Sequence, residues 1–312
     1  MPTIRRAVID IGTNSVKLLV AEVSEPGVHP LLEQSEQTRL GSGFYETHRL
    51  QRAAIERTAQ SVARFAAKAA EFEPERVRVI GTSAARDALN SEDLLAAVQK
   101  AAGLRVEIIP GEQEADWVFR GVITDPAFAG QSLLIVDVGG GSSEFILGEG
   151  EHQKFRHSFR LGTVRLLEQI VVSDPPTAIE WWLCQEKLDA FLDDHVIPAV
   201  RPELQSVRSG PVHCVGTGGT ASILARIELG LARFERNRID GARLGREQVV
   251  RQRHHLWRLP LAGRKQVVGL PANRADVILA GVAIYEGILD KFDFKELRVS
   301  TRGLRFAAVI DC

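Results

Sequence analysis

A short glycine-rich turn occurs twice in this chain, each time between two apolar runs. The first copy, Ala7–Val20, reads AVIDIGTNSVKLLV, and the second, Leu133–Leu147, reads LLIVDVGGGSSEFIL. Apolar runs of this length are typical of buried strands, so both copies predict a strand, a tight turn and a second strand. Glycines let main-chain N–H groups approach a ligand, and successive N–H groups form a nest that binds anions.

A single glycine-rich turn would fit an ordinary hairpin equally well. The repeat favours the anion site, because two turns with the same order of aspartate, glycine and small polar residues are hard to explain as independent hairpins. Such a repeat predicts two related lobes whose turns face each other across a cleft. Asp10 and Asp137 occupy equivalent positions, where an acidic residue beside a nest suggests a metal ion between carboxylate and phosphate. The alternative for either residue alone is an aspartate that hydrogen-bonds its own backbone.

Further motifs follow in order along the chain. They are GTSAARDA at Gly81–Ala88, GEQEA at Gly111–Ala115, LGTVRLLE at Leu161–Glu168, GTGGT at Gly216–Thr220, RADVILAG at Arg274–Gly281 and GLR at Gly303–Arg305. With the two turns, they resemble the exopolyphosphatase/guanosine pentaphosphate phosphatase (Ppx/GppA) family of the actin/Hsp70/sugar-kinase superfamily. The resemblance implies an α/β fold of two ribonuclease-H-like (actin-like ATPase) lobes, with mixed five-stranded sheets and an interlobe cleft. It assigns residues 1–126 plus 301–312 to the N-terminal lobe and 127–300 to the C-terminal lobe.

Apolar periodicity predicts the element order βββαβαβα and a second, similar order that restarts near Gln131. Between the two, the segment DPAFAG at Asp125–Gly130 is the predicted domain boundary and hinge. Pro198 and Pro202 are predicted to end a helix that covers Thr177–Val196, because proline cannot continue the hydrogen-bond pattern.

The resemblance also assigns the catalytic residues. GEQEA places Glu112 and Glu114 in the first turn of a predicted helix, where acidic residues are common because they favour the positive end of the helix dipole. The pattern alone leaves both open, but in the family motif the catalytic glutamate directly precedes the alanine, which selects Glu114 as the base. Arg86 follows a strand, where its guanidinium would bind phosphate oxygens. Its alternative is an arginine on a helix surface.

The remaining assignments concern phosphate and metal. A magnesium ion, or another divalent cation, would be held by Asp10, Asp137 and Glu144, because Mg²⁺ takes oxygen ligands and bridges phosphate oxygens. N–H and hydroxyl groups would bind the phosphates at Thr13, Asn14, Ser15, Gly139, Gly140, Ser142, Gly216 and Gly218.

Composition limits the partners. The formal net charge of the 312 residues is −1, which argues against a general polyanion binder, so no nucleic acid partner is expected. The three cysteines are scattered, with neither disulfide-framework nor metal-ligand spacing. The N-terminal sequence MPTIRRAVID leaves no room for a signal peptide, and no apolar stretch reaches the length of a membrane span. We therefore expect a cytoplasmic protein without a membrane partner. Two-lobed members of the family are often dimers, which leaves a homodimer open.

An arginine-rich stretch, Arg226–Lys265, has two interpretations. It could guide a long polyanion toward the site, or it could be a solvated helical face. On the first interpretation, replacing Arg236, Arg238 and Arg243 with glutamine weakens long substrates more than short ones.

These observations predict a phosphoanhydride hydrolase. The predicted reaction is removal of terminal orthophosphate from inorganic polyphosphate by metal-assisted attack of water. The alternative is removal of the 5′ γ-phosphate from guanosine pentaphosphate (pppGpp), since the family includes both activities. Longer members carry a further C-terminal helical domain that this sequence lacks, which favours shorter substrates. Two other classes remain: an acetate or sugar kinase on the same fold, which would need an acceptor pocket rather than a base aimed at water, and a non-catalytic alarmone sensor.

Overall fold

The computed structural model describes residues 3–24, 27–170, 172–208 and 210–312. Contacts group the chain into two compact units. The first comprises the residues up to Thr124 together with Leu304–Cys312, and the second comprises Asp125–Gly303.

Each unit contains one mixed sheet, and the chain is an α/β protein as predicted. The strands are β1 (Ile4–Ile11), β2 (Ser15–Ser24), β3 (Gly27–Gln37), β4 (Arg76–Gly81), β5 (Val106–Ile108), β6 (Ser132–Val138), β7 (Ser143–Glu149), β8 (His152–Phe159), β9 (Val212–Thr217), β10 (Arg243–Gly245) and β11 (Glu296–Val299).

Helices connect the strands and cover the sheets. They are α1 (Phe44–Thr47), α2 (Arg52–Ala70), α3 (Ser83–Asp87), α4 (Ser91–Ala102), α5 (Gly111–Ile123), α6 (Thr163–Glu168), α7 (Ala178–Phe191), α8 (Ile197–Ser206), α9 (Gly218–Glu228), α10 (Arg236–Ile239), α11 (Arg246–Arg258), α12 (Leu261–Arg264), α13 (Ile278–Lys291) and α14 (Leu304–Ile310). A π-helical turn covers Leu192–Val196 and a 3₁₀ turn covers Ala272–Arg274.

The sheet of the first unit has the strand order β3-β2-β1-β4-β5. β1 is antiparallel to β2 and parallel to β4, and β4 is parallel to β5. In β1, three consecutive apolar residues, Ala7–Ile9, are fully buried, because helices cover both faces of the sheet. Ile9 packs in the cluster that includes α2, and its neighbour Val8 points to the other face. α2 buries Ile55, Ala59 and Val62, whose spacing of three to four residues places them on one helical face.

The C-terminal segment completes the first unit. α14 packs against α5 and β1, and the Arg6 side chain donates to the Ile310 carbonyl at 2.6 Å. Phe306, which follows the GLR motif, is 1% exposed. Its bulk is explained by packing, because it lies on the buried side of α14.

The sheet of the second unit has the order β10-β11-β9-β6-β7-β8 and therefore six strands, not the five that the resemblance implied. The sixth is β10, which pairs antiparallel with β11 through Leu244 and its two neighbours. Three residues are too few to show an alternating pattern, so the sequence carries no signal for this strand. α13 lies in the core of this unit and is apolar on nearly all sides, as expected for a fully buried helix.

The prediction that Pro198 and Pro202 end a helix is wrong. After α7 the chain widens into the π-helical turn, in which the Ile197 N–H bonds the Leu192 carbonyl, five residues back. α8 then begins with Pro198 in its first turn, where the missing N–H costs nothing. Pro202 lies inside α8.

Two simpler expectations can be compared with the structure. All three cysteines are free, and Cys184 and Cys214 are buried. Among the residues described, no helix combines the length and the apolar content that a membrane span requires.

Candidate active site

The first turn connects β1 to β2 at the carboxyl end of β1. The Gly12 N–H donates to the Ser15 carbonyl at 3.0 Å, which closes the turn. The Thr13 carbonyl accepts the N–H of Gly41, from the segment after β3, at 2.8 Å. The carbonyl side of the turn is therefore held against the protein.

The second turn connects β6 to β7 in the same way. The Gly139 N–H donates to the Ser142 carbonyl at 3.0 Å. The Gly140 carbonyl accepts the N–H of Val164, from the segment after β8, at 2.9 Å. Gly140 and Thr13 are equivalent positions of the repeat, so the repeat in the sequence is also a repeat of backbone geometry.

Three of the buried polar atoms that have no hydrogen-bond partner in the described ranges lie at the first turn. They are Asp10 Oδ1, Asn14 Nδ2 and Ser15 Oγ, and the three residues are 3–5% exposed. The Ser83 hydroxyl, at the start of α3, has the same property. Leaving such a group unpaired costs about 1–3 kcal/mol. Four of them at one end of the sheet point to a polar ligand that would pair with them.

Asp10 is the acidic member of this cluster. Burial raises its pKa, and the nearby charges of Lys17 and Arg305 lower it in part. Lys17 lies directly opposite Asp10 in the β1–β2 register, with its Nζ 3.9 Å from Asp10 Oδ2. One carboxylate oxygen thus faces an ammonium group, and the other is available to a cation.

Parallel strands bring two further segments to the edge of the sheet that carries the first turn. The Thr82 N–H donates to the Ile11 carbonyl at 3.2 Å, and the Ile109 N–H donates to the Gly81 carbonyl at 3.1 Å. The ends of β1, β4 and β5 therefore lie side by side, and α3 and α5 begin from this edge.

Arg86 and Glu114 meet at this edge. An Arg86 Nη1 donates to Glu114 Oε2 at 3.0 Å and to the Ile109 carbonyl at 3.2 Å. Their side chains are 22% and 12% exposed, so the pair is partly protected from water. Glu112, in the same helical turn, is exposed to solvent. The structure separates the two glutamates that the sequence pattern left open, and it brings together the arginine and the glutamate that the resemblance selected.

In the second unit, Asp137 and Glu144 stand directly opposite each other in the β6–β7 register. Side chains at such positions point to the same face of a sheet. Glu144 is 2% exposed and accepts a hydrogen bond from the Ser158 hydroxyl at 2.7 Å.

The GTGGT motif begins with the last two residues of β9, which is parallel to β6, so it lies at the same edge as Asp137. Gly218 has a φ of +78°, and a Cβ there would lie 2.1 Å from Asp137 Oδ1. The Asp137 carboxylate therefore packs on the bare Cα at the start of α9. Gly216 is packed differently, because a Cβ there would lie 3.0–3.1 Å from Ala221, Leu297 and Tyr285. Packing alone explains that glycine, and its role in phosphate binding stays a prediction.

A divalent cation needs oxygen ligands, which side chains, water and substrate phosphates can share. Within the described ranges, no three His, Cys, Asp or Glu side chains form a group that could hold a metal ion by themselves. Mg²⁺ keeps several waters and is usually held by one or two carboxylates plus substrate phosphates. In the first unit, the unpaired Oδ1 of Asp10 fits that kind of site. In the second unit, the carboxylates of Asp137 and Glu144, which lie opposite each other in the sheet, fit it as well.

Comparison with known proteins identifies the family of this chain. The model of the Ppx/GppA phosphatase family matches residues 19–311, which is nearly the whole chain. This chain belongs to the Ppx/GppA phosphatase family. The matched range begins after the first turn and includes the Arg86–Glu114 pair, the second turn and the whole sheet of the second unit.

Individual members of the family are similar over most of this chain. Exopolyphosphatase 2 of Mycobacterium tuberculosis is 31% identical over 296 residues, which cover 92% of this chain and 90% of the relative. The guanosine-5′-triphosphate,3′-diphosphate pyrophosphatase of Photobacterium profundum is 29% identical over 308 residues, which cover 98% of this chain but 58% of the relative. A crystal structure of the Aquifex aeolicus member of the Ppx/GppA family superposes with a TM-score of 0.77 at 32% identity, covering 99% of this chain and 97% of that one.

Two residues beside the family motifs were not predicted from the sequence. Lys17 takes the position that Glu144 takes in the second copy of the repeat, and aligning the two copies would have revealed it.

The Tyr285 hydroxyl lies 3.1 Å from the Val136 carbonyl and 3.4 Å from the Thr217 carbonyl, between the ends of β6 and β9. Burial raises the pKa of this phenol well above its usual range, so it stays protonated and can donate. No local pattern marks Tyr285, because its contacts are distant in sequence.

The arginine-rich stretch is largely engaged in local contacts. Arg236, Arg238 and Arg243 form ion pairs with Asp240, Glu235 and Glu296 at 3.6–3.7 Å. Arg264 is 4% exposed and donates to the Ala275 and Leu259 carbonyls. The interpretation as a track for polyanions stays a prediction.

Proposed function

We propose that this chain is an exopolyphosphatase, which hydrolyses the terminal phosphoanhydride bond of inorganic polyphosphate and releases orthophosphate. The Arg86–Glu114 pair carries the proposal, because it lies at the edge of the sheet that also holds Asp10 and the first turn. A positioned carboxylate beside a phosphate-binding turn suits attack by water. The name of the mycobacterial relative, Exopolyphosphatase 2, supports this substrate.

Removal of the 5′ γ-phosphate from pppGpp is the second candidate. The name of the Photobacterium relative favours it. Both reactions break a terminal phosphoanhydride bond, so the same groups serve either substrate. The two substrates differ beyond the first two or three phosphates, so contacts with that part of the substrate decide which one the enzyme prefers.

In the proposed reaction, Glu114 accepts a hydrogen bond from water and takes its proton as the water oxygen bonds to the terminal phosphorus. The bond from that phosphorus to its bridging oxygen breaks, and the shortened chain leaves with the electron pair. Arg86 neutralises charge on the phosphoryl oxygens. N–H and hydroxyl groups of the two turns would hold the phosphates, from Thr13, Asn14, Ser15, Gly139, Gly140 and Ser142.

Asp10, Asp137 and Glu144 are the candidate ligands of a divalent cation. When bound, such a cation would neutralise phosphate charge and help to align the terminal phosphate. Of the three carboxylates, Asp10 offers an oxygen without a partner in the described part of the chain.

Release of orthophosphate by the purified protein with Mg²⁺ tests the proposal, with Glu112→Gln as the matched control for Glu114→Gln. Both substitutions remove one carboxylate from the same helical turn, but only Glu114 pairs with Arg86. We expect Glu114→Gln to lower kcat by about 10²-fold or more and Glu112→Gln to leave it within about twofold. Equal effects of the two substitutions would contradict the role of Glu114.

The substrate is decided by running short polyphosphate, long polyphosphate and pppGpp in parallel. A higher kcat/KM for polyphosphate supports the exopolyphosphatase. Release from pppGpp alone assigns the second candidate. Binding without release from any of the three would contradict both hydrolase proposals.

A further inference from the structure

The internal repeat continues beyond the two turns. After the third strand of each unit the chain reads Arg-Leu-Gly followed by a hydroxyl residue, at Arg39–Ser42 and at Arg160–Thr163. Only the second of these overlaps a motif of the family resemblance, the one at Leu161–Glu168. The glycines of the two copies have the same structural role, because each lets the chain pack closely against the glycine-rich turn. A Cβ at Gly41 would lie 2.3 Å from the Thr13 side chain, and a Cβ at Gly162 would lie 2.4 Å from the Gly140 carbonyl.

Those glycines explain the Leu-Gly part of the motif but not its arginine. Leu40 and Leu161 are buried, as packing under the turns requires. Arg39 and Arg160, by contrast, are both exposed. Each lies just after the third strand of its unit, where the chain returns to the glycine-rich turn. Because both side chains are exposed, burial in the core does not explain the choice of arginine.

The backbone at Arg39 strengthens this point. Its φ is +54°, a left-handed conformation that glycine or asparagine adopts at lower cost. Its N–H donates to the Asn14 carbonyl at 3.0 Å, so the residue lies directly behind the first turn. A costly conformation kept for a long cationic side chain is typical of a functional position.

Arg160 reaches an equivalent place by another route. It is the centre of a tight turn in which the Leu161 N–H bonds the Phe159 carbonyl at 2.8 Å. The Leu161 carbonyl in turn accepts the Ser143 hydroxyl at 2.6 Å, which anchors this turn to the strand that leaves the second glycine-rich turn.

We propose that Arg39 and Arg160 are substrate-binding residues, each of which contacts a phosphate group next to the one held by the glycine-rich turn of its own unit. The inference rests on the proposed function. A guanidinium offers paired N–H donors that match phosphate oxygens and stays charged at any pH the protein meets. Each arginine recognises a phosphoanhydride chain rather than a single orthophosphate, and both contribute to KM more than to kcat.

The test compares Arg39→Gln and Arg160→Gln with Arg105→Gln. Arg105 is also exposed, but it precedes β5 and so belongs to the opposite edge of the first sheet. With tetrapolyphosphate as substrate, we expect each of the first two substitutions to raise KM about tenfold, the loss of one charged hydrogen bond, with kcat within about threefold. Arg105→Gln should change neither. The KM of the two variants should also depend less steeply on salt than that of the wild type.

A structural role is separated from a binding role by two further variants. Arg39→Lys should recover part of the affinity because it restores the positive charge. Arg39→Gly should raise the melting temperature, since glycine favours the positive φ, and should still raise KM. The inference is overturned if KM of Arg39→Gln and Arg160→Gln stays at the wild-type value, or if Arg39→Gly binds like the wild type. If the wild type releases no orthophosphate from any substrate, it is the proposed function that fails instead.

Discussion

At the residue scale, Asp10 shows how a functional side chain can lower the stability of the folded protein. Burial raises its pKa, and its Oδ1 has no hydrogen-bond partner within the described residues. Because the folded state holds the proton more tightly than the unfolded state, the favourable contribution of Asp10 to stability is present at low pH. It is lost as the pH rises through the raised pKa. At neutral pH the carboxylate therefore lowers the stability of the fold, and Lys17 and Arg305 offset this effect only in part.

Asp10→Asn should consequently stabilise the protein and inactivate it. We expect the free energy of unfolding at pH 7 to increase by on the order of 1 kcal/mol, because a buried charge that Lys17 and Arg305 compensate only in part is removed. Hydrolysis should fall by about 10²-fold or more. Urea unfolding of wild type and variant between pH 3.5 and 7, where the Asp10 reference pKa of 3.8 marks the lower limit, checks the sign, since the gap should narrow toward low pH. A variant less stable than the wild type at pH 7 would contradict this reading of Asp10.

At the scale of elements, α9 has a glycine at each end with a positive φ but with different surroundings. Gly218, at its first residue, has a φ of +78° and packs on the Asp137 carboxylate. Gly230, just beyond its last residue, has a φ of +62° and open space around the position of a Cβ. Both positions require a positive φ, but of the two glycines only Gly218 closely approaches a residue of the candidate site.

The two glycines therefore form a matched pair of mutations. Gly230→Ala should cost about 1 kcal/mol of stability, from the positive φ alone, and leave kcat/KM unchanged. Gly218→Ala should cost more and should also lower kcat/KM by about tenfold or more, because the methyl group displaces the Asp137 carboxylate. Unfolding by urea and orthophosphate release, measured on both variants, separate the two effects. Equal activities would show that the Asp137 position tolerates the shift.

At the scale of the whole molecule, the end of the chain belongs to the same compact unit as its beginning. Asp311 accepts hydrogen bonds from Arg120 and from the Trp117 indole, and the Arg120 bond is the main reason that the pKa of Asp311 is lowered. The residue is close to the last of the chain, so these contacts fix α14 against α5. For a lowered carboxyl pKa, the stabilisation is present above the unfolded pKa and disappears as the pH falls through the folded value.

Asp311→Asn tests how firmly the C-terminus is held. We expect a loss of less than about 1 kcal/mol at pH 7, because the pair is partly exposed to water. We also expect faster amide exchange in α14 and α5. The difference from the wild type should vanish once the pH falls below the lowered pKa of Asp311, where the carboxyl group is protonated in both states. Asp194→Asn, at an exposed position, is the control and should change neither measurement. A difference that persists at low pH would mean that Asp311 acts through something other than its charge.

Local structure could be predicted from the sequence wherever a few adjacent residues determine it. The two turns depend on glycine and small polar residues within six positions, so both were predicted, and the motif order was sufficient to indicate the family. The same reasoning failed at Pro198, where proline is tolerated because a π-helical turn shifts the hydrogen-bond register before it. It also failed at β10, whose three residues form a strand only because β11 offers a free edge.

The sequence by itself determined the repeated phosphate-type turns, the α/β class and the candidate residues of the site. Only the tertiary structure decided which glutamate of the GEQEA motif faces Arg86, because that depends on the parallel pairing of β4 with β5 and on where α5 begins. It also placed Lys17 opposite Asp10, and it showed that the Arg-Leu-Gly segments lie behind equivalent positions of the two turns. Such contacts join residues far apart in the chain, and their geometry is set by strand register and core packing rather than by any local pattern.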